Sequence, residues 1–393
     1  MIINPYYIME LRMYKYRIYP SHKHKDRLIE NIKTCKQIYN YLLEQSIIAY
    51  KFAGITMNKF DYNKLIKGKY TIHSQVAQNV SDRVHKAFSN FFRRVKDKSC
   101  KQKGFPRFKS RVISITFPQS GFKLLSDKRL KLSKIGNVPI VLHRVPKGKI
   151  KTLTIKCNKA NQWFAVFCCE VQVPKIVHSN KEMIGIDVGL ENFATLSNNK
   201  VIENPRFLIK SEKRLKLLHR RLSRKKKGSA NRRKARLRLS KLYIKVTNQR
   251  DDFAHKLSRT FAISYGTIKV EKLNITNMLK NHSLAKHISD ASWNRFFQML
   301  PYKAVTCGGQ VEFVNPRNTS KECSNCGELV DMPLAKRKFL CPHCGYVAHR
   351  DLNASINIAK RYGRADQNLT PVDDHVRPSI LKAKVCEAGT IYR

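Results

Sequence analysis

Four cysteines carry the most specific chemistry in this chain. Cys323-Ser-Asn-Cys326 is followed, 14 residues on, by Cys341-Pro-His-Cys344, and each pair is closed by a glycine, Gly327 or Gly345. Two thiolates three positions apart can both point inward round a tight turn, and glycine supplies the left-handed residue that such a turn needs. Four soft ligands with no open position predict a closed, structural Zn²⁺ site of the zinc-ribbon kind, one ion per chain. His343, inside a knuckle, and His349, just outside it, are expected to be bystanders. Cys35, Cys157, Cys168, Cys169, Cys307 and Cys386 lack comparable partners and read as small apolar residues.

A second chemistry comes from carboxylates at the ends of elements. Asp187 ends the strand-like run IGID, Glu271 ends IKVE, and Asp351 starts the last helix-like segment. Two strand-end acids joined by a third from a helix form a geometry that clamps two Mg²⁺ ions. Oxygen ligands suit this hard cation, which keeps waters and binds substrate phosphates. Taken singly, each acid could be an ordinary surface carboxylate. Strand-end acids beside buried β-branched runs are less common.

The charge balance names the partner class. Against 27 Asp and Glu stand 78 Lys and Arg, a net charge of +51 over 393 residues. Apolar residues make up 42%, enough to bury cores, which excludes wholesale disorder. A folded chain so charged repels itself unless it meets a polyanion, and nucleic acid is the first candidate. No 18-residue apolar run exists to span a membrane. The opening MIINPYYIMELRMYKYRIYPS is interrupted by Glu10, Arg12, Lys15 and Arg17 and lacks a signal-peptide core. An intracellular protein with reduced thiols is expected, which favours metal over disulfide for the paired cysteines.

Positioning these groups falls to several predicted elements. Residues 11–19 read as a strand, and 22–52 as a helix with Leu28, Ile32, Cys35, Tyr39 and Leu42 on one face. A second helix spans about 75–97, and GFPRF (104–108) breaks it. Residues 112–173 look β-rich, with turns near Gly121, Gly136 and Gly148. EMIGIDVG and FATLS are strands. Residues 210–245 hold 17 Lys and Arg and one acid, Glu212. Leu215, Leu218 and Leu222 make one apolar stripe there, Leu239, Leu242 and Val246 another, with KKKGSAN between, so a basic helical hairpin is expected. A balanced solvated face would mix signs. This one does not, so Lys225, Lys226, Lys227, Arg232, Arg233 and Lys234 are candidate phosphate-binding residues. A further helix carries Phe253, Leu257 and Phe261. TIKVE and QVEFV are strands, and SDASW opens a helix capped by Ser289 or Asp290. Residues 350–363 form the last helix, and the polar tail 364–393 is expected to be mobile.

IGIDVGLENFATLS, KVEKLN, LAKHISDASW, the CSNCG and CPHCG knuckles and HRDLNASIN occur in this order, and together they resemble the TnpB family. These OrfB-type proteins of insertion sequences are RNA-guided DNA nucleases similar to type V CRISPR effectors. The resemblance covers 11–362 in organisation and is close from 182 to 362. It implies an α/β RNase H-like (RuvC) nuclease domain, 182–322 and 345–363, interrupted by the zinc ribbon at 323–344. It further implies a β-barrel wedge from 1–20 and 112–181, a helical recognition lobe at 21–111, and Asp187, Glu271 and Asp351 as the metal-binding acids. Arg337 resembles an arginine placed near the scissile phosphate, and it could equally be a ribbon-surface residue. Asn353 and Asn357 are expected to bond either the acid site or the sheet. Pro301 departs from the pattern and is expected to kink its helix or start another.

The resulting expectation is a Mg²⁺-dependent DNA endonuclease, guided by an omega-type RNA, acting on double-stranded target DNA beside a short adjacent motif. Its setting is the prokaryotic cytoplasm, associated with the nucleoid. A strand-transfer transposase would share the acids. A guided repressor would have lost them. A zinc-ribbon RNA-binding protein would explain the charge and leave the acids without a role.

Overall fold

A computed structural model describes residues 7–100, 102–174, 182–333, 336–362 and 364–365 of the chain. The rest of the tail, 366–393, lies outside the described residues, as does the mobility expected of it. The chain divides into two compact units, Met9–Gln172 and a second built of Met1–Ile8 and Val173–Arg393.

The first unit opens on strand β1 (Tyr7–Ile18) and helices α1 (His22–Ala53), α2 (Lys59–Ile66) and α3 (Ser74–Lys96). Ser21 caps α1, its hydroxyl accepting from the His24 amide, and Gly54 ends it in the left-handed conformation. Helix α2 was not legible from the sequence. Its Asn58–Asp61 capping box supplies the missing signal. Strands β2 (Ser114–Pro118), β3 (Phe122–Leu124), β4 (Arg129–Leu132), β5 (Gly136–Val141), β6 (Lys149–Cys157) and β7 (Trp163–Pro174) follow. With β1 they form a seven-stranded sheet in the order β2-β6-β7-β1-β5-β4-β3. Alternation decides the buried face, as in β4, where Leu130 and Leu132 are buried and Arg129 and Lys131 are exposed.

The second unit holds strands β8 (Met183–Asp187), β9 (Asn192–Leu196) and β10 (Val201–Glu203), then helices α4 (Phe207–Ser223) and α5 (Ala230–Ser264). Strand β11 (Thr267–Glu271), helices α6 (Ile275–Met278), α7 (His282–Ala291) and α8 (Trp293–Thr306), and strand β12 (Gln310–Val314) follow. A hairpin, β13 (Lys338–Leu340) with β14 (Val347–His349), leads into α9 (Arg350–Lys360) and the short β15 (Arg364–Ala365). The large sheet runs β10-β9-β8-β11-β12-β15, with β8, β11 and β12 parallel. Central parallel strands are covered on both faces, so β8 and β11 are buried along most of their length, Lys269 included. The core joins Ile184, Ile186, Ile268 and Val270 of the sheet to Phe261, Trp293, Phe296 and Leu300 of α5 and α8.

Three helical expectations change. The stripe at Phe253, Leu257 and Phe261 belongs to the hairpin's own second helix, since α5 runs unbroken for 35 residues. The sequence between the two apolar stretches holds neither Pro nor Gly to stop it. Neither Ser289 nor Asp290 caps the helix that SDASW opens. Residues 289–291 end α7, whose cap is Asn281, and Ser292, left-handed and without a side-chain cap bond, leads into α8 at Trp293. Pro301 starts no second helix, because α8 continues through it to Thr306. No helix among the described residues is long and apolar enough to cross a membrane.

Candidate active site

Sheet register sets the acids. Thr267 lies opposite Met183 and Val270 opposite Ile186, so the next step brings Glu271 level with Asp187 at the carboxyl ends of adjacent parallel strands. Open α/β sheets bind their ligands at that edge. Asp351 arrives from α9, which packs along β8. Gly185 makes this approach possible: a Cβ there would stand 2.2 Å from the Ser355 carbonyl oxygen and 2.5 Å from the Ala359 nitrogen. His349 caps α9, its Nδ1 accepting from the Asp351 amide at 3.3 Å, and lies 4.0 Å from the Asp351 carboxylate. It stands beside Asp351, and neither it nor His343 joins the cysteine quartet; both are exposed.

The register of β8 and β11 and the approach of α9 bring the three carboxyls to one sheet edge. Burial pushes the Asp187 carboxyl well above the usual carboxylate range, and the charges of Glu271 and Asp351 push it further; Arg350 and Arg337 oppose the rise. Burial also raises Glu271, against the Thr319 hydroxyl, which donates to Oε1 at 2.5 Å, and against Arg361. Among the described residues, no donor or cation bonds the Asp187 carboxylate directly. A half-buried acid facing two others is a costly arrangement that a hard cation would relieve. Among the described residues, only the cysteine quartet brings three or more ligand atoms within 4.8 Å of one another. The three acids do not form such a cluster.

Arg337 bridges this site and the loop after β8. Its Nη1 lies 3.5 Å from Asp351 and its Nε 3.5 Å from Glu191, and the side chain is half exposed. Glu191 was not legible beforehand, since its partner is 146 positions away. Asn353 and Asn357, both buried, bond neither the acids nor the sheet. They fasten the base of the cysteine insert, Asn353 to Glu322 and Ser324, and Asn357 to Thr319 and Glu322.

In that insert, the Sγ atoms of Cys323 and Cys344 are 3.7 Å apart and those of Cys326 and Cys341 3.6 Å. Four thiolates at about 2.3 Å from one tetrahedral zinc would stand about 3.8 Å apart, so the quartet fits a single such ion. Gly327 and Gly345 take φ +84° and +71°, the left-handed residues of the two knuckles. Phe339 and Met332 form a small apolar core beside Cys323 and Cys341.

The basic hairpin is α4 with α5, joined by 224–229 and seamed by Leu215, Leu239 and Leu242. Lys225, Lys226, Lys227, Arg233 and Lys234 are exposed. Arg232 differs, since its guanidinium donates to the carbonyls of Leu222 and Lys225 and closes the end of α4. At the other end of α4, the buried Asp290 of SDASW accepts from the Leu208 and Ile209 amides and forms a fork with Arg250.

A sheet with acids at its carboxyl edge, a four-cysteine insert that could hold a metal and a basic helical hairpin are the parts of a protein that acts on nucleic acid. Family models match along the chain: OrfB_IS605, "Probable transposase", over residues 166–282; the Cas12f1-like TNB domain over 293–358; and the helix-turn-helix domain of OrfB_IS605 over 9–54. In the last stretch the fold is a strand and one long helix. A Streptomyces pristinaespiralis protein named "Putative RNA-guided DNA endonuclease" is 31% identical over 365 residues, 88% of each chain. The Escherichia coli K12 protein "Putative RNA-guided DNA endonuclease InsQ" is 32% identical, covering 72% of this chain and 73% of its own. Cas12f1, solved with sgRNA and target DNA, shares the fold at a TM-score of 0.57 and 15% identity, over 91% of this chain and 100% of its own. This chain belongs to the OrfB family of IS605-type elements, the TnpB-like proteins.

Proposed function

We propose that the chain is an RNA-guided DNA endonuclease that hydrolyses target DNA at Asp187, Glu271 and Asp351. The observation that carries this reading is the convergence of three carboxyls on the edge of one sheet, with Asp187 raised by both of its neighbours. Its second unit is an RNase H-like, RuvC-type domain with a zinc ribbon inserted between β12 and α9. Residues 1–20 and 112–181 act as a wedge and 21–111 as a recognition lobe, holding an omega-type guide and the adjacent DNA motif.

The acids would hold two Mg²⁺ ions, which supply water activation and stabilisation of the leaving oxygen for in-line hydrolysis, leaving a 5′-phosphate and a 3′-hydroxyl. The chain's own residues keep the ligands in place. Thr319 fixes one oxygen of Glu271, Gly185 lets α9 approach, and His349 sets the first turn that carries Asp351. Arg337, already beside Asp351, is placed to meet a phosphate oxygen bidentately. The cysteine quartet holds one Zn²⁺ whose binding energy is local folding energy. Guide pairing reads the target sequence, so protein contacts to the heteroduplex fall mainly on backbone.

The test is direct. Purified with the RNA that travels with it, the wild-type chain should cut matched duplex DNA in Mg²⁺. Asp187→Ala should lose cutting by at least about a thousandfold while binding guide and target as before. Cleavage by that variant at the wild-type rate would refute the assignment.

A further inference from the structure

The segment between α3 and β2 carries six Lys and Arg and no acid from 98 to 111, KSCKQKGFPRFKSR. It has no regular secondary structure between 102 and 109, and yet it is fastened along its length. Arg94 of α3 donates to the carbonyls of Lys103 and Gly104 at 2.9 and 2.8 Å. Gly104 turns the chain at φ +43°, a left-handed value that favours glycine. Phe105 packs edge-on against Phe88 and Phe91, with centroids 5.7 and 5.1 Å away. Pro106 fixes its own φ and stiffens the next step of the chain. Asn40 of α1 clamps both backbone groups of Lys109, and the Lys109 ammonium lies 5.3 Å from the Tyr39 ring.

This anchoring leaves the tip bare. Phe108 is 56% exposed, and Arg107 and Arg111 on either side of it point cations into solvent. Among the described residues Phe108 stacks on no other ring. Folding alone gives no reason to hold an exposed phenyl ring and like charges in one fixed loop. An aromatic ring flanked by cations is the device that captures an unpaired base between two phosphates, and fixing it beforehand removes the ordering cost on binding.

We propose that loop 102–111 is a strand-opening finger: Phe108 stacks on a base of the target DNA where its two strands part, and Arg107, Lys109 and Arg111 hold the flanking phosphates. DNA is the occupant because guided recognition must unpair the target duplex before the guide can read it, and that fork presents unpaired bases. The inference rests on the guided reading above.

The experiment compares Phe108→Ala, Phe108→Trp and wild type, each as the guide-loaded full chain, on a matched duplex and on the same DNA pre-unpaired along the guide-matched stretch. A 2-aminopurine base at the adjacent-motif end reports opening without cleavage. Phe108→Ala should open and cut the duplex about ten- to a hundredfold less well. The pre-opened target should restore cutting to near wild type, and Phe108→Trp should restore opening. Equal losses on both targets, normal opening by Phe108→Ala, or loss of guide RNA binding in its place would each overturn the assignment. A wild-type complex that opens the duplex and never cuts it would overturn the nuclease reading and leave this one standing.

Discussion

Asp187 carries an electrostatic cost. Its carboxyl is raised by burial and by the charges of Glu271 and Asp351, so without metal it resists ionisation. The sign follows from linkage. A raised carboxyl keeps its proton in the folded chain after the unfolded chain has lost it, so the stability it contributes is full at low pH and fades as pH rises through the raised value. Metal-free protein should therefore lose stability from mildly acidic to neutral pH by more than Asp187→Asn does. At neutral pH the variant should be the more stable, by on the order of 1 kcal/mol, in thermal melts. Mg²⁺ should raise the melting temperature of wild type and not that of the variant. A variant that melts below metal-free wild type at neutral pH would show that the repulsion is absent. The positions of Asp187, Glu271 and Asp351 at the ends of elements were legible in the sequence, because each follows a strand-forming run or starts a helix. Glu191, His349 and Thr319 were not, since nothing local marks a residue whose partner is brought by the fold.

Two elements carry the site, and each depends on a contact that a single atom can break. Helix α9 reaches β8 only over Gly185, so Gly185→Ala would drive a methyl into the helix backbone and lift Asp351 away from Asp187. Expected are a loss of about 2 kcal/mol or more and cleavage reduced with the acids intact, checked by denaturant unfolding and by rate. Helix α4 begins on Asp290, which is buried and doubly bonded to Arg250. Asp290→Ala leaves that guanidinium without its partner and two amides uncapped, which should cost about 3–5 kcal/mol in the same unfolding measurement. SDASW shows why such an anchor escapes sequence reasoning. A Ser-Asp pair before an apolar residue has the composition of a helix cap, and here Asp290 does cap a helix, one that starts 83 positions earlier in the chain. The cysteine insert was legible because its turns and ligands are local. Its attachment through Asn353 and Asn357 was not, because an asparagine on a helix gives no direction.

At the scale of the molecule, the charge of +51 needs a place to be neutralised, and the α4–α5 hairpin is where it is densest. Its leucine seam is thin, so like charges on its outer surface act against folding until phosphates screen them. The structure divides the candidate residues into two kinds. Lys225, Lys226, Lys227, Arg233 and Lys234 are exposed, while Arg232 is spent on closing α4. Changing the five exposed residues to Ser should weaken binding to unrelated guides and targets alike, because phosphate contacts carry no sequence. The slope of log affinity against log salt should become shallower by up to about 4, each lost contact removing about 0.7–0.9. Melting of the nucleic-acid-free protein should stay level or rise as repulsion falls. Arg232→Ala should do the reverse, lowering the melting temperature while changing the slope by less than about 1. Should the five-residue variant keep the wild-type slope, the hairpin is a solvated face and the polyanion is held elsewhere on the chain.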